Sequence, residues 1–294
     1  MTLAEFYGVS ADYLLGLAES KNHPNADLAE LHLSDGMYRG KRTEETGGLY
    51  MEVRERGLNG NQIKMIAIIA MAIDHIAWTF FPGYRTDGIT LAMHIIGRLT
   101  APIMMYFIAE GFYHTKNVKK YIGRLFLFAI PSHFAYCLMF GKNFVPFRDS
   151  FFDQTSVMWT FAVGLLALAI QKSENSKLKE WQRHILVFLC IWLAFPGDWS
   201  SPAAGTILYM GINRNNFKKQ MLWMTLWISL YSVVYAIFIN PVYGMLQMLV
   251  VLSIPLLKIY NGERGKWKGM KWFFYLYYPT HLLILGLVKM YFHL

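Results

Sequence analysis

The apolar residues of the chain are gathered into long runs that begin at Ile63, and the residues before that point form no such run. A helix that crosses a bilayer needs about 20 predominantly apolar residues. The runs that approach this length cover residues 63–81, 91–113, 119–140, 154–171, 219–239, 243–260 and 271–292. Two shorter runs, 184–196 and 203–212, flank a polar stretch and are either two tilted spans or a re-entrant pair. The pattern predicts an all-α integral membrane protein, a polytopic bundle of about nine transmembrane helices preceded by a short soluble helical segment.

The basic residues alternate between the connectors of these runs. If residues 1–62 are cytoplasmic, 16 of the lysines and arginines in residues 63–294 lie on the cytoplasmic side, and only Arg85, Lys142, Arg148 and Lys289 lie on the other. Cytoplasmic loops of membrane proteins carry such an excess of bases. The charge pattern therefore predicts a cytoplasmic amino terminus and an outer carboxyl terminus. Both short runs are counted as crossings, because dropping one would place two basic connectors outside.

Composition supports the membrane assignment and excludes other classes. The chain is 55% apolar and 16% charged, whereas a soluble domain is about a quarter charged. This apolar content excludes a disordered chain, and a count of two cysteines excludes a disulfide scaffold. The net charge of +9 combines −4 over residues 1–62 with +13 over the remainder. The first part of the chain is therefore an acidic appendage, and no signal peptide is expected in it.

Residues 1–60 are predicted to be a cytoplasmic segment and linker. The stretch 3–16 indicates a helix, a glycine turn and a second helix that Ser10 caps. It resembles the last part of a Cro/CI (XRE-type) helix-turn-helix domain, without the helices that read a DNA groove. DNA binding needs a recognition helix, and acidic residues oppose contact with phosphates, so no nucleic-acid partner is expected.

Charged and polar residues within the apolar runs are the candidate site, since a charge in hydrocarbon costs several kcal/mol. Asp74 and His75 follow ten mostly apolar residues in the first run. Neighbouring residues point about 100° apart on a helix, so Asp74 is expected to pair with an arginine on another span rather than to orient His75. A neutral imidazole in a polar pocket makes His75 a candidate general base.

Other candidates lie on either side of these two residues. Arg98 and His281 fall near the middle or outer half of their runs. Residues toward the cytoplasm form a second group, which consists of Glu110, His114, Lys116, Lys119, Lys120 and Arg124. The alternative interpretation is that the charges only hold the bundle together, with Arg124 paired to Glu110 or Asp74. His94 and His133 are interpreted as packing or interfacial residues.

Signatures of several enzyme classes are missing from the sequence. There is no Walker A motif, dinucleotide-binding glycine pattern, G-x-S-x-G or C-x-x-C motif, and no H-E-x-x-H spacing. The chain is therefore not expected to carry nucleotide-binding or redox chemistry of its own, and no metal site is predicted.

Several motifs follow one another along the apolar runs: Lys64…Asp74-His75, Gly97-Arg98-Leu99…Pro102, Glu110-Gly111…His114-Thr115…Asn117…Tyr121…Arg124, Asp198-Trp199 and Tyr278-Pro279…His281. Taken in this order, they resemble the TraX family of bacterial membrane proteins, which are linked to amino-terminal acetylation of pilin. The resemblance implies a transmembrane acyltransferase domain over residues 61–294, located in the bacterial cytoplasmic (inner) membrane.

The first run also resembles the broader acyltransferase-3-like group, in which a cation precedes the first-helix histidine by eleven residues; here the cation is Lys64. That resemblance implies an acyl-CoA donor and His75 as the base. The mechanism that we expect takes acetyl-CoA as the donor, with Asp74 and Arg98 shaping the site. Glu110 and His114 would line the donor side, and Lys116, Lys119, Lys120 and Arg124 would hold the donor's phosphates. His281 would donate to the developing oxyanion.

The sequence leaves the acceptor open among a peptide, a glycan and a small molecule, with membrane lipid as the surroundings. A second hypothesis is a transporter or membrane sensor that uses the same buried charges as a proton or substrate path. A membrane-tethered regulator is a third, and it depends on the amino-terminal segment alone.

Overall fold

The computed structural model describes residues 57–148, 154–173 and 178–293, and the regular elements in these ranges are helices. The predicted helix-turn-helix remnant lies outside the described residues. The helices are α1 Gly60–Phe80, α2 Gly88–Gly97, α3 Thr100–His114, α4 Val118–Phe140, α5 Val157–Gln171, α6 Glu180–Leu193, α7 Ser200–Ile212, α8 Phe217–Phe238, α9 Pro241–Gln247, α10 Ser253–Lys258 and α11 Met270–Phe292, with a 3₁₀ helix at Met248–Leu252 between α9 and α10.

Within the residues that the structure describes, five helical segments are long and apolar enough to cross a membrane. They are α1, the pair α2–α3 taken together as Gly88–His114, α4, α8, and the composite Pro241–Lys258 that contains α9 and α10. The shorter apolar helix α5 has 15 residues. The prediction of an all-helical membrane protein is confirmed, and the count of nine crossings stays a prediction.

Asparagine side chains begin several of the long helices. Asn59 accepts a hydrogen bond from Gln62 N in a reciprocal capping box at the start of α1. Asn117, Asn216 and Asn240 cap α4, α8 and α9 in the same way, each through the backbone N–H three residues later. An amide oxygen at this position satisfies a donor that the first helical turn leaves free. These polar caps fix where the helices start in a chain of nearly continuous apolar sequence.

Two predicted runs are interrupted, and in each case a proline explains the break. The run 91–113 falls within the candidate span Gly88–His114, but a short break divides this span, because α2 ends at Gly97 and α3 begins at Thr100. Pro102 lacks the N–H that would bond the carbonyl of Arg98 in a continuous helix. Pro255 likewise cannot bond the carbonyl of Val251, and the chain there passes through the 3₁₀ segment before α10.

The two short runs form separate helices with different surroundings. Helix α6 has 14 residues and α7 has 13, so each is about 20 Å long, shorter than the hydrocarbon core. Most of α7 is buried, whereas only Val187 and Cys190 are buried on α6. Gly164 allows α7 to pack closely on α5, since a Cβ there would lie 3.0 Å from Ala204 Cα. Helix α7 is therefore part of the core, and α6 lies at its edge.

Contacts between loops sort the helix ends into two groups. In the first group, Leu58 N bonds Ile259 O at 3.0 Å, and the ring of Tyr260 lies 5.2 Å from that of Phe107. Tyr113 and Gly211, at the ends of α3 and α7, also hydrogen-bond each other. This group, called the basic end, carries Lys116, Arg214 and Arg264 in its connectors and Lys258 at the end of α10.

The second group, called the far end, contains the opposite ends of the same helices. Tyr243 Oη donates to Arg85 O at 2.8 Å, Gln154 N donates to Pro196 O at 2.7 Å, and Trp78 contacts both Tyr84 and Phe140. Consecutive long helices therefore run in alternating directions between the basic end and the far end.

Candidate active site

A cavity of about 770 Å³ reaches from one group of helix ends to the other. Lys64 and Arg264 line it at the basic end, and Tyr84 and Lys142 line it at the far end. Asp74, His75 and Arg98 line its middle. The adjacent acid and imidazole predicted from the first apolar run thus face one continuous space.

Asp74 is the centre of a buried polar network. Arg98 Nη2 donates to both carboxylate oxygens of Asp74, at 2.9 and 3.1 Å, and the ring Nδ1 of His94 lies 2.8 Å from Oδ1. Arg98 Nη1 donates to Gln247 Oε1 at 2.6 Å, and its Nε donates to the carbonyl of His94. The predicted pairing of Asp74 with an arginine on another helix is present. Removing either member would leave an uncompensated buried charge.

The backbone at Gly97 makes this network fit. A Cβ at Gly97 would overlap the side chain of Asp74, so no other residue lets α2 approach α1 as closely. The guanidinium of Arg98 also lies 5.4 Å from the ring of Trp199, a cation–π distance. Gly97 and Arg98, which stand together in the sequence motif, therefore serve one contact between helices.

His75 is held by His281 rather than by Asp74. His281 Nδ1 lies 2.8 Å from the carbonyl of Tyr277, and His281 Nε2 lies 2.7 Å from His75 Nδ1. Because a carbonyl only accepts, His281 Nδ1 carries the proton, and its Nε2 accepts from His75 Nδ1–H when both rings are neutral. This network leaves the Nε2 lone pair of His75 without a partner among the described residues. The free nitrogen belongs to a ring that lines the cavity.

The role predicted for His281 does not fit the geometry. An oxyanion donor needs an N–H directed at the reacting atoms, but both ring nitrogens of His281 are already engaged, with Tyr277 and with His75. His281 is also not among the residues that line the cavity. Its place behind His75 makes it a positioning residue.

Glu110 and His114 lie at the basic end, where they share one arginine. Arg214 Nε donates to Glu110 Oε1 at 3.2 Å, and Arg214 Nη2 lies 3.3 Å from both Glu110 Oε2 and His114 Nε2. The predicted pairing of Arg124 with Glu110 or Asp74 is absent, since Arg214 and Arg98 hold those two acids. Charge pairs between helices, which the alternative interpretation also predicted, are present. The sequence analysis used Arg214 only as one of the connector bases that predict the membrane topology, and so missed its contact with Glu110.

The cations predicted to hold the donor's phosphates divide into two pairs. Lys116 and Arg124 line the cavity, whereas Lys119 and Lys120 do not line it. Arg264 and Lys271, from the connector before α11 and its first turn, line the cavity as well. The sequence is rich in bases over residues 258–271, which could have pointed to Arg264 and Lys271 as site residues. The sequence analysis explained these bases by the cytoplasmic location of the connector alone.

His94 and Gln247 are site residues that the sequence analysis missed. The ring of His94 is fully buried, and its Nδ1 bonds Asp74, so it is more than a packing residue. The sequence feature that could have identified His94 is its position four residues before Arg98, which places the two side chains on the same helix face. His133 instead contacts Thr155 Oγ1 and Phe144 O near the far end, apart from the cavity lining.

Tyr260 lies at the basic end, beyond α10, and its ring lines the cavity. Burial raises the pKa of its hydroxyl, and the nearby Glu110 carboxylate raises that pKa further. The hydroxyl therefore stays protonated at neutral pH and is a hydrogen-bond donor. Within the described part of the chain, His, Cys, Asp and Glu form no group of three that could hold a metal ion.

Comparison with known proteins assigns the chain to a family. Residues 59–289 match the family described as TraX protein, which covers most of the chain and nearly all of its described helices. The chain is 31% identical over 239 residues to the "Probable fimbrial assembly protein FimC, serogroup H1" of Dichelobacter nodosus; the match covers 78% of this chain and 95% of that protein. No solved structure matches. The resemblance read from the sequence motifs is confirmed in this respect: the chain belongs to the TraX family.

Proposed function

We propose that the protein is an integral-membrane acyltransferase that moves an acetyl group from acetyl-CoA to an amine or hydroxyl acceptor. The observation that carries the proposal is that one cavity is lined both by His75, which has a free ring nitrogen, and by a cluster of cations at the basic end. A general base within a sheltered polar site, next to a binding region for an anionic donor, is the arrangement that acyl transfer requires.

The chemistry assigned to His75 is transfer of one proton in each direction. Its Nε2 accepts the proton of the acceptor's N–H or O–H as that nucleophile attacks the thioester carbonyl. The C–S bond then breaks, the acyl group stays on the acceptor, and the imidazolium returns the proton to the leaving thiolate. His281 Nε2 accepts from His75 Nδ1–H throughout and so stabilises the imidazolium.

The distance between the cations and His75 suits a donor with a long flexible arm. Lys64 and His75 are eleven residues apart on α1, which corresponds to about 16 Å along the helix axis. A thioester placed at His75 by an extended phosphopantetheine arm would leave the donor's phosphates near the basic end. Apolar side chains such as Met71, Met104 and Phe161 line the cavity between these points.

The topology that goes with this proposal has nine crossings of the bacterial cytoplasmic membrane. The basic end faces the cytoplasm, in agreement with the excess of bases there, and the carboxyl terminus lies outside. The short helices α6 and α7 count as the fifth and sixth crossings. Acetyl-CoA, a cytoplasmic metabolite, then reaches the cavity from the basic end, and the acceptor reaches it from the far end or from the lipid.

The acceptor is the part of the reaction that the site defines least. The relative from Dichelobacter nodosus carries the name of a fimbrial assembly protein, so the amine of a fimbrial or pilus protein is one candidate for this chain. A glycan hydroxyl and a small molecule are the others.

The test is transfer of label from radiolabelled acetyl-CoA to bacterial membrane components by the purified protein in lipid nanodiscs. A general base contributes about 10²–10⁴-fold, so His75→Ala is expected to lower the rate by at least the smaller factor. His133→Ala is the matched control, because His133 lies on α4 apart from the cavity lining. An unchanged rate in His75→Ala would refute the assignment of the base.

A transporter is the second candidate, and the extent of the cavity favours it, since residues from both groups of helix ends line one space. Flux of a proton or small solute through proteoliposomes, with no dependence on acyl-CoA and a loss in Asp74→Asn, would support this reading over acyl transfer.

A further inference from the structure

Five cations converge on the basic end of the cavity without an acidic partner among the described residues. They are Lys64, Lys116, Arg124, Arg264 and Lys271. Arg264 is close enough to Lys64 for the two charges to repel each other, and Arg124 and Arg264 both repel Lys271. Glu110, the acid that lines this end, is held by Arg214. Like charges gathered in one recess are unfavourable unless an anion joins them.

Arg264 is held in place by backbone contacts. Gly60 N donates to Glu263 O at 2.7 Å, and Asn61 N donates to Arg264 O at 3.0 Å, so the connector before α11 is fastened to the first turn of α1. Gly265, with a φ of 89°, packs directly against Asn59 and Asn61. This fastening brings Arg264 beside Lys64 although 200 residues separate them in the chain.

Arg124 has a donor that no described residue uses. Its Nε is buried and has no hydrogen-bond partner, while its guanidinium lies 5.8 Å from the ring of Tyr121 and bonds Tyr275. A buried, unpaired N–H costs free energy unless a ligand or water accepts from it. The side chain of Arg124 also lines the cavity, so its guanidinium is available to an anion that binds there.

We propose that this recess binds the phosphates of a nucleotide-bearing acyl donor, with Arg264 and Lys271 as phosphate contacts beside Lys64 and Arg124. The inference rests on the proposed acyl transfer and moves the phosphate contacts from Lys119 and Lys120 to the connector before α11. Guanidinium and ammonium groups are the side chains that bind phosphate. Phe107 packs 4.7 Å from Lys64 Nζ, and Tyr260 contacts Phe107, so aromatic rings adjoin the cations.

The anionic headgroup of a membrane lipid offers the same chemistry, and the experiment separates the two sources. Binding of radiolabelled coenzyme A is measured with the full chain in nanodiscs of neutral phosphatidylcholine. Arg264→Gln and Lys271→Gln are each expected to weaken binding by about tenfold. Lys119→Gln and Lys120→Gln, which alter exposed cations of the same end, are expected to change it by less than about twofold. Pantetheine, which lacks phosphates, should bind all five proteins alike.

Each outcome decides the proposal. If the wild type binds coenzyme A and Arg264→Gln and Lys271→Gln bind it as tightly, the phosphate site is wrong and acyl transfer stands. If the wild type binds no coenzyme A, both fall together. If phosphatidylglycerol in the nanodisc displaces coenzyme A, and only lipid binding falls in the two variants, the site belongs to a lipid headgroup. Thermal unfolding in the same nanodiscs verifies that all variants are folded.

Discussion

His75 derives its candidate role from one neighbour, His281, which occupies one of its ring nitrogens and leaves the other free. Its partner His281 is 206 residues away in sequence, and the carbonyl of Tyr277 fixes the tautomer of that partner. The sequence placed both histidines at similar membrane depth but gave no register between α1 and α11. Two histidines at the same membrane depth need not face each other, so the hydrogen bond between His75 and His281 could be found only from the tertiary structure.

The positioning role of His281 predicts a particular kinetic pattern. His281→Ala should lower kcat for acyl transfer by about 10–100-fold, a part of what the base itself contributes, and leave KM for acetyl-CoA unchanged. His281→Gln should recover part of the loss, because its amide oxygen can accept from His75 Nδ1–H. Steady-state kinetics of the two variants verify this; equal rates for both would argue against the hydrogen bond.

Gly97 and Gly123 each precede an arginine that lines the cavity, and the two glycines differ in their surroundings. Gly97→Ala would place a Cβ on the Asp74 side chain and should lower the free energy of unfolding by about 1–3 kcal/mol. Gly123 has open space around the added Cβ, so Gly123→Ala should be neutral or raise stability by up to about 1 kcal/mol. Thermal unfolding in detergent compares the two, and an equal loss in both would contradict the close-approach argument.

At the scale of elements, the Asp74–Arg98–Gln247 network joins α1, the α2–α3 junction and α9. The sequence predicted that Asp74 needs an arginine, because an isolated charge in hydrocarbon is too costly, and Arg98 was one of two available. It did not predict Gln247 or His94, since neutral polar side chains carry no such penalty. The helix break beside Arg98 was also missed, although Pro102 supplies its physical cause.

This junction predicts a contrast between single and double variants. Arg98→Met leaves Asp74 as an unpaired buried carboxylate and should lower the free energy of unfolding by about 3–5 kcal/mol. Asp74→Leu combined with Arg98→Met removes both charges and should recover most of that loss, while acyl transfer stays abolished. Unfolding of the single and double variants measures the coupling. A double variant as unstable as Arg98→Met would mean that packing, not charge pairing, holds the junction.

At the scale of the whole molecule, the alternation of apolar runs and basic connectors was sufficient to predict the helical architecture. It also placed Lys116 and Arg264 at the same end of the bundle, as the structure does. It could not separate bases that mark topology from bases that line a cavity, because both lie in connectors. Arg264 and Lys271 were therefore missed, while Lys119 and Lys120 were given a role for which the structure offers no contact.

The two-sided arrangement predicts opposite labelling of cysteines at the two ends. The native Cys137 and Cys190 are buried and should react little with a membrane-impermeant maleimide. Arg148→Cys, exposed at the far end, should react in intact spheroplasts, and Lys119→Cys, exposed at the basic end, only after the membrane is opened. Gel shifts of the labelled protein record both. Reaction of both variants in intact spheroplasts would exclude the proposed orientation.

The cavity that reaches both groups of helix ends also bears on the insulation of the membrane. In a membrane, a space lined from Lys64 to Lys142 would thin the hydrocarbon barrier between the two sides, and Arg98 ties Asp74 to Gln247 at the middle of that space. We expect variants that disrupt this network to let ions leak through the protein. Residual ion leakage is therefore a property to measure alongside activity in every variant of this network.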